Sequence, residues 1–170
     1  SVCIPNASVS FINNSTIADG SEAGFLYLWN FGDISSGPLN TSLAKTPPAH
    51  LYSGTGPYTV TLTVTSDSGC VKTASKPVDF IHPQPVTSFT MSKPGVCLGD
   101  PVTFTDISNG LDGTVTQWYW DFGDPVSGAL NFATTKNGTH LYTNTGLYTV
   151  KHIAYSSTGC SDTAIQNIFI

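Results

Sequence analysis

Trp120-Asp121-Phe122-Gly123-Asp124 repeats Trp29-Asn30-Phe31-Gly32-Asp33 from 91 residues earlier, and this stretch decides the class of the chain. In each copy apolar side chains alternate up to the Phe-Gly-Asp stop: Tyr27, Trp29 and Phe31 in one, Trp118, Trp120 and Phe122 in the other. Strand side chains have period two, so each set falls on one side of an extended chain. Gly32 and Gly123 then allow a backbone angle that other residues resist, and Asp33 and Asp124 can hydrogen-bond the turn that follows. The pattern predicts a central strand ending in a tight turn.

The echo extends in both directions. Ser36-Gly37-Pro38-Leu39-Asn40 matches Ser127-Gly128-Ala129-Leu130-Asn131, and His50-Leu51-Tyr52 matches His140-Leu141-Tyr142. Gly56-Pro57-Tyr58-Thr59-Val60 matches Gly146-Leu147-Tyr148-Thr149-Val150, Gly69-Cys70 returns as Gly159-Cys160, and Val9-Ser10-Phe11 as Val102-Thr103-Phe104. The offset stays between 90 and 94. A period this long is a duplicated domain and not a solenoid unit. The expected domains are 1–82 and 83–170.

These residues resemble the PKD domain, an immunoglobulin-like β-sandwich module marked by a W-D-F-G-D core, then H-x-Y, then G-x-Y-x-V. Both copies carry all three, with Asn30 in place of the first Asp in copy one. The resemblance covers nearly the whole chain and implies an all-β fold of two tandem sandwiches. It also implies a structural role for Trp29, Phe31, Gly32, Asp33, His50, Tyr52 and Tyr58, and for Trp120, Asp121, Phe122, Gly123, Asp124, His140, Tyr142 and Tyr148. A Cys before the first long strand and a Gly-Cys after the Tyr strand further resemble PKD repeats of secreted Bacteroidota proteins.

Composition agrees with this class. The 170 residues fit two small domains, and charged residues are only 10%, against roughly 25% in ordinary soluble domains. Thr favours strands, whereas Glu, a good helix former, occurs once, at Glu22. All six basic residues are Lys and the net charge is -5, which argues against a nucleic-acid partner. No apolar run approaches the roughly 20 residues that span a bilayer, so no membrane insertion is expected. Ser1-Val2-Cys3 is unlike a signal peptide.

Four cysteines placed equivalently in the two copies point to disulfides and an oxidising, extracellular or cell-surface location. Metal binding is the rival reading, but there is no close Cys-x-x-Cys pair and the histidines do not cluster with the cysteines. The simplest pairing is Cys3–Cys70 and Cys97–Cys160, because each copy then closes independently. In an immunoglobulin strand order the two turns concerned lie at opposite ends of one sandwich. A bridge between neighbouring repeats, such as Cys3–Cys160, therefore stays open.

Along copy one, a strand is expected at 8–12, a polar loop at 13–24 and the core strand at 25–31. A turn-rich connection with a short edge strand should occupy 32–48. Tyr58-Val60-Leu62-Val64 alternates with Thr59-Thr61-Thr63-Thr65, the clearest half-buried strand, and 71–81 returns as the last strand. His82-Pro83-Gln84-Pro85 reads as a proline-restricted linker. Copy two then opens with a strand at 86–91 that copy one lacks. The first strand of copy one is expected before Ser1, and the chain is read as a segment of a longer array.

The candidates for chemistry are few. His50 and His140 recur with Asp33 and Asp124, a pairing that suggests acid-base work or a metal, but the resemblance makes them structural partners near the sandwich end. Calcium needs six to eight converging oxygens. Asp121 with Asp124, and Asp106 with Asp112, are close in sequence without forming a D-x-D-type loop, and copy one has Asn30 and Asn13 at two of these places. No cofactor is expected, with calcium the one ion worth testing. Gly-x-Tyr-x-Val resembles the tyrosine corner, in which Tyr58 and Tyr148 bond back to backbone near the strand start.

On the outer face, Tyr119, Ile153 and Tyr155 replace Leu28, Thr63 and Thr65 and form a candidate contact patch. On the inner face His152 replaces Leu62, for which sequence offers no partner. Asn-x-Ser/Thr triplets begin at Asn6, Asn13, Asn14, Asn40 and Asn137. The function expected is that of a non-catalytic structural or adhesive module, a spacer or contact segment of a larger secreted or surface protein. Its partners would be neighbouring repeats or domains of that protein, and extracellular protein or polysaccharide. A carbohydrate-binding accessory of a secreted hydrolase is the alternative.

Overall fold

The computed structural model describes every residue except Asp19 and Pro94. The chain forms two compact units, Ser1–His82 and Pro83–Ile170. The strands of unit 1 are β1 (Val2–Cys3), β2 (Ala7–Val9), β3 (Leu26–Asn30), β4 (Thr41–Ser42), β5 (His50–Tyr52), β6 (Tyr58–Thr65), β7 (Val71–Val78) and β8 (Ile81–His82). Those of unit 2 are β9 (Phe89–Met91), β10 (Pro101–Asp106), β11 (Val115–Asp121), β12 (Phe132–Ala133), β13 (Gly138–Leu141), β14 (Leu147–Ser156) and β15 (Ser161–Phe169).

Each unit is a sandwich. In unit 1 a four-stranded sheet of order β4-β3-β6-β7 packs on the β2-β5 pair, and β1 runs parallel to β8. In unit 2 the sheets are β12-β11-β14-β15 and β13-β10-β9. The alternation read from sequence is the packing pattern: Tyr27, Trp29 and Phe31 are buried with Val60, Leu62 and Val64 of β6 and with Ala7, Val9 and Tyr52 from the facing pair. Unit 2 buries Trp120 and Phe122 against Phe89, Val102, Phe104 and Tyr142, while Trp118 is only half-buried.

The connection after each Phe-Gly-Asp turn is more ordered than its turn-rich sequence suggested. Pairs of short 3₁₀ turns at Ile34–Asn40 and Pro125–Asn131 lead into the short edge strands β4 and β12. Each is kinked at a glycine of positive φ, Gly37 (57°) and Gly128 (59°).

The expected intradomain disulfides do not form. Cys70 and Cys97 are free and exposed, whereas Cys3 and Cys160 are disulfide-bonded. The reason lies in the strand order within each unit. Cys3 is in register with His82, past the far end of β7, and Cys70 immediately precedes the start of β7. Eight strand residues span roughly 25 Å, far beyond the limit of about 7 Å between Cα atoms of a disulfide. In unit 2, Val96 beside Cys97 donates its amide to the carbonyl of Phe169, while Cys160 precedes the nine-residue β15 that ends there.

Candidate functional site

The Phe-Gly-Asp turn is held by the same frame in both units. The Trp29 indole donates to the Ala44 carbonyl (3.1 Å) and that of Trp120 to Thr135 (3.0 Å), tying the core strand to the connection beyond it. The side chain of Asn30 accepts from the Gly32 amide at 2.8 Å, and that of Asp121 from Gly123 at 3.0 Å. Asn therefore serves in copy one where the family pattern has Asp, since the turn needs only an oxygen acceptor. Gly32 and Gly123 have φ of +74° and +72°, and a Cβ there would lie 2.6 Å and 2.4 Å from the carbonyl oxygens of Thr59 and Thr149.

Asp33 and Asp124 are each only 2% exposed. Their carboxylates meet His50 Nε2 at 3.1 Å and His140 Nε2 at 3.0 Å. Each imidazole stacks on the preceding Phe ring, with centroids 4.4 Å apart for Phe31–His50 and 4.8 Å for Phe122–His140. The amides of Asp33 and Asp124 donate to Asn40 (2.7 Å) and Asn131 (2.6 Å). Tyr52 and Tyr142 close the frame by donating their hydroxyls to the carbonyls of Phe31 (3.0 Å) and Phe122 (2.9 Å). Burial opposes ionisation of Asp33, but hydrogen bonds from Ser35 and then His50 outweigh it and hold the carboxyl below its ordinary 3.8. Burial, with the charge of Asp33, pushes the Tyr52 phenol up to about 12, and burial with the charge of Asp124 likewise raises Tyr142.

The His-Asp pairs thus face inward, between stacked aromatic rings, and give a substrate no open side. Sequence reading brought His, Asp and Tyr together through the motif. It did not find Asn40 and Asn131, whose one signal was their recurrence at the same distance from the turn.

Unit 2 carries a second buried network that unit 1 lacks. His152 is fully buried, stacks on Trp120 at 3.7 Å and pairs its Nε2 with Asp106 at 3.0 Å. Asp106 also accepts from the Trp118 indole (2.8 Å) and the Ser108 amide (3.1 Å). Burial pushes its carboxyl up, yet the hydrogen bonds from Ser108 and His152 prevail and lower it below 3.8. Here is the partner that His152 required. The equivalent residues in unit 1, Asn13, Leu62 and Tyr27, change together, and the buried Tyr27 hydroxyl has no hydrogen-bond partner among the described residues.

Of the tyrosine-corner residues, Tyr148 donates its hydroxyl to the Asn144 carbonyl at 2.9 Å, and Tyr58 packs on Tyr52 with centroids 4.4 Å apart. Among the described residues no three His, Cys, Asp or Glu side chains are grouped to hold a metal. Of the calcium candidates, Asp106 uses both carboxylate oxygens on internal donors, and Asp121 Oδ1 accepts from the Gly123 amide and from Asn131 Nδ2 at 2.8 Å.

On the outer face of β11 and β14, Tyr119 is directly opposite Ile153, and Tyr155 opposite Gln117. All three patch residues are half-buried. The patch extends beyond the sequence expectation: Tyr119 stacks on Phe132 at 5.9 Å, and exposed Ile165 of β15 faces Lys151. In unit 1 the same face carries Thr63 hydrogen-bonded to Thr73 at 2.9 Å, with Leu28 beside it across β3.

Paired sandwiches, each pinned by a Phe-Gly-Asp turn, a buried His and a buried Tyr, define a class of immunoglobulin-like β-modules. The chain belongs to the PKD domain family, whose model matches residues 5–80 and again 82–170. It is 31% identical over 117 residues to the pre-pro-metalloprotease PrtV of Vibrio cholerae serotype O1. That match covers 69% of the chain but only 12% of the relative's length. Among solved structures it is similar to the PKD1 domain of the Vibrio cholerae metalloprotease PrtV (29% identity, TM-score 0.43, covering 51% of this chain and 96% of that one). It is also similar to the PKD1 domain of Vibrio anguillarum Epp (23% identity, TM-score 0.44, covering 51% and 93%).

Proposed function

We propose that the chain is a non-catalytic extracellular spacer and contact segment of a larger multidomain protein. The observation that carries this reading is the fate of the motif side chains. In both units the residues able to do acid-base chemistry are buried and spent on holding a turn, with His140 and Asp124 each only 3% exposed at the side chain. The disulfide-bonded cysteines support an oxidising compartment, and among the described residues no helix is long and apolar enough to cross a membrane. The relation to Bacteroidota-type secreted repeats rests on the placement of the cysteines. No metal or cofactor belongs to this reading, supported by the internal use of both Asp106 oxygens and of Asp121 Oδ1.

Partners on this view are flanking modules and an extracellular protein that meets the Tyr119–Ile153–Tyr155 face. The aromatic character of that face, with Phe132 stacked on Tyr119, favours one second reading: stacking on sugar rings as an accessory to a secreted hydrolase or peptidase. Polysaccharide pull-down and glycan-array binding separate the two. A spacer gives no saturable binding, whereas micromolar binding abolished by Tyr119→Ala and Tyr155→Ala establishes the accessory role.

A further inference from the structure

The four cysteines occupy only two kinds of backbone frame. In the first kind the cysteine follows a valine that packs on the core and runs parallel to the closing segment of its own unit. The Val2 amide donates to the Phe80 carbonyl at 3.0 Å, and the Val96 amide to the Phe169 carbonyl at 3.4 Å. Cys3 and Cys97 come next in the chain. In the second kind a Ser-x-x-Gly-Cys turn holds the cysteine just ahead of the last long strand. Ser66 and Ser156 donate their amides to the carbonyls of Cys70 (2.9 Å) and Cys160 (2.8 Å). Their hydroxyl oxygens accept from the amides of the same two cysteines at 3.1 and 3.2 Å. Gly69 and Gly159 complete the turn with φ of +81° and +86°.

The two oxidised cysteines, Cys3 and Cys160, are one of each kind, and so are the two free ones, Cys97 and Cys70. Neither kind closes within its own unit, because the last long strand lies between them. Each free thiol therefore stands in a backbone setting whose twin, elsewhere in the chain, carries a disulfide. What differs is cover. Cys160 is 1% exposed and Cys3 half-buried, whereas Cys70 and Cys97 are exposed beside bare apolar neighbours, Val71 at 62% and Leu98 at 52%.

We infer that Cys70 and Cys97 are half-cystines that bond this chain to further modules of its own kind. Cys97 joins a cysteine in a Ser-x-x-Gly-Cys turn, and Cys70 joins one that follows a parallel-running valine. The inference deepens the spacer reading and rests on its oxidising compartment. The chemistry is thiol–disulfide exchange. One thiolate attacks a low-molecular-weight disulfide and expels a thiol, and the second attacks the mixed disulfide and expels another. Two protons leave the cysteines and two electrons pass to the small disulfide, which ends as two thiols. A second copy of this chain offers both partners. A Cys97–Cys70 bond between copies leaves one cysteine of each kind unbonded at the two ends, so the contact is head-to-tail and extends. Val71 and Leu98 supply apolar surface for it to cover.

The test uses the whole chain with Cys3 and Cys160 intact, concentrated in a mixture of reduced and oxidised glutathione. Non-reducing gels should show a ladder that collapses on reduction, and peptide mapping should recover Cys70 joined to Cys97. Equal parts of isotope-labelled and unlabelled chain should give cross-linked peptides of mixed label. Cys70→Ser and Cys97→Ser change exposed side chains only, so each variant should fold as the parent does. The two variants mixed should form a dimer that grows no further, at least about tenfold more abundant than the self-linked dimer of either. Single-variant dimers as abundant as the mixed one, glutathione adducts without cross-links, or a Cys70–Cys97 peptide of unmixed label would each overturn the assignment. Because the mixture supplies the oxidant, these outcomes sink the pairing alone. Free Cys3 and Cys160 thiols in the protein recovered from its native cells would sink the oxidising-compartment reading instead.

Discussion

Asp106 shows how one residue sets the character of a core. It gathers His152, Trp118 and Ser108 around one carboxylate, and its folded-state pKa is lowered because those hydrogen bonds outweigh burial. A carboxyl of lowered folded pKa adds stability above its unfolded value of about 3.9, and that stability is lost as pH falls through the folded pKa. The melting temperature of unit 2 should therefore drop as pH is taken from about 5 to about 2, and Asp106→Asn should flatten the profile in that window. Parallel profiles in the parent and the variant would assign the acid transition to other groups. Gly123 makes a sharper demand, because any side chain meets both a positive φ and the Thr149 carbonyl. Gly123→Ala should cost about 1–3 kcal/mol from backbone strain, with the clash added. Urea unfolding measures the loss, and a change within error would mean that the turn relaxes.

At the scale of elements, the length of β2 records what lies beside it. Its counterpart β10 runs six residues with β9 along residues 104–106, whereas β2 stops after three, at Val9. The same residue types continue in both copies, so the difference comes from the neighbouring strand and not from local propensity. Consequences reach into the core: Phe104 is fully buried but Phe11 only partly, and Ala74 is exposed where Ala164 is half-buried. Amides at 11–16 are expected to exchange faster than those at 104–109 in native-state hydrogen exchange. Equal protection would show that strand pairing does not control the opening of this edge.

Across the whole molecule the cysteines follow strand order. Within a unit the two cysteine positions lie at opposite ends of the last long strand, so closing either unit on itself would require a different fold. Native alkylation followed by peptide mapping should label Cys70 and Cys97, and should reach Cys3 and Cys160 only after reduction. Labelling of Cys3 in the native, unreduced chain would contradict the structure.

Sequence by itself determined what depends on local pattern and on repetition. Period-two aromatics marked the core face of β3 and β11, and the recurring Phe-Gly-Asp, His-x-Tyr and Gly-x-Tyr-x-Val marked the family, because backbone periodicity and turn chemistry are properties of a few adjacent residues. Tertiary structure decided whatever depends on residues meeting across the sandwich. Asn40 and Asn131 hold turns seven residues away in sequence, and His152 finds Asp106 across 46 residues. Phe132 joins the surface patch through an edge strand of two residues, too short to announce itself. Which cysteines are oxidised was likewise fixed by where strand order sets them, since a disulfide is decided by distance in space and sequence equivalence specifies only position in the repeat.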